Sequence, residues 1–83
     1  MAHFAEINPD GGQVLRVIVV KNDDCNNLQF PASEPVGQSY IASIGIPGEF
    51  RQTSYSGSFR GKYASEYDIY DPIDDVFRPL RGE

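Results

Sequence analysis

Ala2-His3-Phe4-Ala5-Glu6-Ile7-Asn8-Pro9-Asp10-Gly11-Gly12-Gln13-Val14-Leu15-Arg16-Val17-Ile18-Val19-Val20 decides the fold of this chain. At its middle, Asn8 to Gly12 is a run of turn formers: Pro pre-sets one turn dihedral, Asn and Asp accept local backbone hydrogen bonds, and Gly tolerates positive φ. The run separates a short segment carrying Phe4 and Ile7 from one rich in β-branched residues, which predicts a β-hairpin of residues 2–8 and 13–21. The second strand is apolar on both faces, with only Arg16 interrupting it, so it is expected at the centre of a sheet or covered on both sides.

Working outward, residues 22–33 read as a polar loop anchored by Leu28 and Phe30. Ser33-Glu34-Pro35 then reads as a helix entry, because a serine oxygen can cap free backbone N–H groups and proline is tolerated in the first turn. Val36, Tyr40, Ile41 and Ile44 recur at helical spacing and Gly45 suits a left-handed stop, predicting one amphipathic helix over residues 34–44 despite the helix-weakening Gly37.

After Ile46-Pro47-Gly48 the chain reads as strands: 50–55 and 58–63 joined by Ser56-Gly57, then 67–71 and 76–79 joined by residues 72–75. Phe59 and Tyr63 share one face of the 58–63 strand, expected against the helix, with Arg60 and Lys62 on the other. Pro79 ends the ladder and leaves Leu80 to Glu83 as an expected frayed tail. The fold class that results is α+β, an antiparallel sheet of about five or six strands with one helix packed on it.

At 83 residues the chain is sized for a single domain, 1–83, and such a domain buries only about 60% of the surface its unfolded chain exposes. Cys25 is the sole cysteine, so added stability is expected from self-association, a homodimer included, or from docking onto a protein partner. The lone thiol fits a reducing compartment, and its acidic neighbours Asp23 and Asp24 disfavour a thiolate. The N-terminus lacks a basic segment followed by an apolar one, so no secretory signal is expected, and Val17 to Val20 is too short to span a bilayer.

A net charge of −5 weighs against a broad polyanion-binding face. The charge is uneven: residues 51–62 hold Arg51, Arg60 and Lys62 without an acid, and 66–75 hold five acids without a base, which predicts pairing between adjacent strands. His3 is the only histidine, no phosphate-cradling glycine loop or nucleophile elbow occurs, and no cofactor or metal is expected. Asp71, Asp74 and Asp75 invite a calcium reading, but their spacing is that of a turn. Tyr55, Arg60, Lys62 and Tyr63 are the candidate binding residues, an aromatic and basic hairpin face suited to a glycan or single-stranded nucleic acid.

Met1 to Ala5, Val17 to Val20, Gln52-Thr-Ser-Tyr-Ser-Gly-Ser-Phe-Arg60, Tyr63-Ala64, Tyr67-Asp-Ile-Tyr-Asp71 and Asp75-Val-Phe-Arg-Pro79 resemble a group of small uncharacterised proteins. That group occurs in tailed bacteriophages of marine cyanobacteria and in ocean metagenomes. Its members commonly have Trp where Phe50 stands, Gly-Ile-Gly in place of Ser65-Glu66, and a Pro-rich, Trp-bearing continuation after the final strand. The resemblance implies a viral origin and carries over no catalytic residue. The expected function is accordingly a non-enzymatic phage structural or interaction protein, a minor virion component or an accessory factor in the host cytoplasm. The alternative is the glycan or nucleic-acid module.

Overall fold

A computed structural model describes residues 1–79. It contains one α-helix, α1 (Ser33–Ser43), a short 3-10 helix at Asn22–Cys25, and five strands, β1 (Ala2–Ile7), β2 (Val14–Val20), β3 (Glu49–Thr53), β4 (Ile69–Asp71) and β5 (Val76–Arg78). The strands form two antiparallel sheets rather than one: a three-stranded sheet in the order β2-β1-β3 and a two-stranded ribbon of β4 and β5. The expected fraying of Leu80 to Glu83 lies outside the described residues.

The N-terminal hairpin forms as its turn residues require. Asn8 Oδ1 accepts from the Asp10 N–H at 2.9 Å, and the Asn8 carbonyl accepts from Gly12 N–H at 2.9 Å. Ala2 pairs with Val20 and Glu6 with Arg16, and a register shift follows between Glu6 and Ile7.

The position of the hairpin in the sheet differs from expectation. β1, not β2, is central, and β2 is an edge strand. The reason lies in side-chain volume. β1 has Ala2 and Phe4 on one face and Ala5 and Ile7 on the other, all four buried, so layers close over both faces of β1. Above lies the helix, in a core of Phe4, Val20, Cys25, Ile41 and Phe50. Below lies the ribbon, in a core of Ala5, Ile7, Val14, Ala64, Tyr70 and Phe77.

The helix approaches the sheet through Gly37, where an ideal Cβ would stand only 2.2 Å from Phe4 Cζ. The residue that weakens the helix thus opens the space that the Phe4 ring fills. Ser33 does not cap: the cap position is Ala32, without a side-chain hydrogen bond, and the buried Ser33 hydroxyl donates instead to Gln52 Oε1 at 2.7 Å. At the other end Gly45 takes φ +82°, and Ile46 N–H closes the helix on the Ile41 carbonyl at 3.3 Å. Ile41 is buried, but Ile44 faces outward.

Residues 58–63 are not a strand. Arg60 has φ +57° and Gly61 φ +83°, which reverse the chain where an extended ladder was expected. Phe59 and Tyr63 are therefore not under the helix. Phe59 stacks on Phe30 with ring centroids 3.9 Å apart, and Tyr63 joins His3 on the opposite face of the sheet.

Candidate functional site

The four candidate binding residues separate into two environments. After β3, a turn built on serine hydroxyls reverses the chain: Gly57 N–H donates to the Ser54 carbonyl at 3.0 Å and Ser58 N–H to Ser54 Oγ at 3.0 Å. The turn projects Tyr55, which is 74% exposed. Thr53 Oγ1 accepts the Ala64 N–H at 2.9 Å and so holds the returning chain at the end of β3. Tyr63 thereby meets Tyr55 at 5.3 Å between centroids, and His3 stacks on Tyr55 at 5.5 Å. Tyr55, Tyr63 and His3 form a partly open three-ring cluster.

Arg60 belongs to the other environment, because its side chain is only 6% exposed. Its guanidinium forks onto both oxygens of Glu34, donates to Asp75 Oδ1 at 2.8 Å and to the Gln52 carbonyl at 2.9 Å, and lies over the rings of Phe30 and Tyr70. Burial opposes its charge, but the hydrogen bond and charge of Glu34, with Asp75, outweigh that and raise its pKa. Arg60 is a tie between helix, β3 and ribbon and presents no free cation. Lys62, in turn, pairs with Asp68 at 2.8 Å. The basic segment does meet the acidic one, but through these side chains and not across a strand ladder.

Asp71, Asp74 and Asp75 are also engaged. Asp71 accepts the backbone N–H groups of Ile73 and Asp74 and pairs with Arg78, as Asp74 does. Asp75 accepts the Tyr70 hydroxyl. Among the described residues, no three His, Cys, Asp or Glu side chains gather closely enough to hold a metal ion. Cys25 is buried in the helix-side core, and burial, then Asp24, raises its pKa.

The two edges of the main sheet contrast sharply, which the sequence pattern did not reveal. The outer edge of β3 is sealed by side chains: Gln38 Nε2 donates to the Phe50 carbonyl at 2.6 Å, Glu34 accepts the Gln52 N–H at 2.7 Å, and Arg60 takes the Gln52 carbonyl. At β2 only the first residue is covered, Val14 exchanging hydrogen bonds with Tyr67 and Asp68 at 3.0 and 2.7 Å. From Leu15 to Val20 no strand pairs with its outer side among the described residues. This open stretch carries Leu15, 42% exposed, and Val19, 55% exposed, with Val17 half-buried between them. Its one charge, Arg16, is paired with Glu6 of the same chain at 2.6 Å, and the β-branched run Val17 to Val20 beyond it is a template for pairing with another chain. Strand order would have disclosed it, and the sole local signal was the small side chains of Ala2 and Ala5 in β1.

No helix among the described residues is long and apolar enough to cross a membrane. Comparison with family models, with curated proteins and with solved structures gave no match.

Proposed function

We propose that this chain is a small, non-catalytic protein-interaction component that binds by strand addition at the outer edge of β2. The observation that carries the reading is the contrast between edges: three side chains close β3, whereas β2 keeps a stretch open from Leu15 to Val20 that is apolar but for Arg16. Backbone pairing supplies affinity in that mode, and alternate side chains supply specificity. His3, the one imidazole, is spent in ring contacts with Tyr55 and Tyr63, which fits binding better than acid–base chemistry.

The resemblance to small phage proteins supports a viral setting, either in the virion or among accessory proteins of the infected cell. The test is parallel affinity capture from infected cells and purified virions with the native chain and with Val19→Lys. Partners retained by the native chain and lost by the variant support the reading. Equal capture by both, or none by either from a chain that also fails to pair with itself, overturns it.

A second reading rests on the three-ring cluster. Tyrosine faces present large contact area at low entropy cost, and with Arg60 buried and Lys62 paired the cluster suits a neutral glycan better than a nucleic acid. Titration with neutral oligosaccharides and with a single-stranded oligonucleotide, followed by NMR, tests it. Shifts at Tyr55 and Tyr63 with the sugar alone, lost in Tyr55→Ala, are expected.

A further inference from the structure

We infer that the occupant of the β2 edge is a second copy of this chain, paired antiparallel about a two-fold axis to join two three-stranded sheets into one of six strands. The inference rests on the edge-pairing reading above and names its partner.

The argument is one of register. A two-fold axis perpendicular to a sheet keeps like faces together, so the strand must cross its copy with a residue of β2 opposite its own counterpart. The open stretch runs from Leu15 to Val20, because Val14 is already taken by Tyr67 and Asp68, and Gln13 is bridged to Ile69. Centring the pair on Arg16 would set two like charges face to face and would drive the copy onto positions 12–14, where the segment 67–70 lies. That register is closed. Centring on Val17 or Ile18 keeps the main overlap on the open stretch and sets Val17 against its own counterpart or against Val19 of the copy, with no two charges face to face. Arg16 then lies opposite Ile18 or Val20 instead of its own counterpart, while the bulged Leu15 ends the regular pairing.

Charge does not oppose this contact locally. Arg16 is already paired with Glu6 at 2.6 Å on its own chain, and no acid lies between Val14 and Val20. The net charge of −5 resides elsewhere, chiefly in residues 66–75. The other edge of this sheet offers no equivalent, because the Phe50 and Gln52 carbonyls and the Gln52 N–H are occupied by Gln38, Arg60 and Glu34.

Sedimentation equilibrium of the purified chain, with Val19→Lys as comparison, provides the test. A species of twice the 9.2 kDa chain mass is expected to populate with concentration up to about 1 mM, and Val19→Lys should weaken association at least about tenfold by placing cations next to each other's strand. Val19 is exposed, so the variant should keep the native circular dichroism spectrum. Amide exchange at Val17 and Val19 should slow as the dimer forms. A native chain that stays monomeric throughout, or a dimer indifferent to Val19→Lys, overturns the inference. Val19-dependent capture of another protein by a chain that is monomeric alone would remove self-pairing while keeping the edge as a binding surface. A Val19-dependent dimer that captures nothing would keep the edge as a pairing surface, with the second copy as its occupant.

Discussion

Arg60 stands where extended backbone was expected, and its destination explains why. With φ +57° the residue turns its guanidinium inward, to Glu34, Asp75 and the carbonyl of Gln52. Removing one partner of a buried ion pair leaves the other charge unpaired, at a cost of about 3–5 kcal/mol. Arg60→Met should therefore lower stability by that order in urea unfolding. Arg60→Lys should restore little, because one ammonium cannot reproduce a planar fork that reaches two carboxylates and a carbonyl. A loss under about 1 kcal/mol for Arg60→Met would contradict this account. Gly37 provides a second test at this scale. Alanine is better by about 1 kcal/mol in a free helix, but here its Cβ would meet the Phe4 ring at 2.2 Å. Overpacking costs about 1–3 kcal/mol, so Gly37→Ala should lower the melting temperature, and a rise would show that the helix can move away.

At the scale of elements, the seal on β3 has a measurable worth. Gln38→Ala leaves the Phe50 carbonyl without its side-chain donor, and about 1 kcal/mol of stability should be lost in chemical unfolding. Three elements were legible because their signals are local. The turn at Asn8 to Gly12 fixes the first hairpin, Gly45 ends the helix, and Asp71 nucleates the turn between β4 and β5 by accepting from Ile73 and Asp74. Residues 58–63 read as a strand because alternation of Phe59, Arg60, Gly61, Lys62 and Tyr63 is compatible with extended backbone, whereas the ion-pair partners of Arg60 lie far along the chain. The candidate site was half legible for the same reason. Tyr55 and Tyr63 do come together, joined by His3, but Arg60 is drawn away by a carboxylate 26 residues earlier. The open edge was hidden in an apolar run that reads alike for a central strand and for an unpartnered one.

For the whole molecule, stability should fall in two steps on acidification. His3 lies below its ordinary value of 6.5 through burial first and the N-terminal ammonium second. The unfolded chain takes up that proton more readily, so stability declines as pH drops through 6.5 and levels once the folded imidazole is also charged. Asp75 is held below 3.8 by the Tyr70 hydroxyl foremost, then by Arg60 against the cost of burial. Asp71 is held below 3.8 by the Asp74 N–H foremost, with Arg78 and the Ile73 N–H. Their contribution is complete above the unfolded value and is lost as pH falls through the folded ones. Melting temperature against pH should show both steps; His3→Gln should erase the first alone, and Asp75→Asn should shrink the second. A single step in the native chain would count against the assignment. The Arg60 tie also bears on how the chain is born. Glu34 leaves the ribosome 26 residues ahead of Arg60, and Asp75 follows Arg60 by another 15. A nascent helix therefore emerges with its acid unanswered, over a sheet whose lower face has no ribbon to cover it. The helix-side core can close once Phe50 has emerged, whereas the other face waits for Ala64, Tyr70 and Phe77, so a stalled or truncated chain exposes the ribbon-side face of β1 and becomes a substrate for chaperones or proteases.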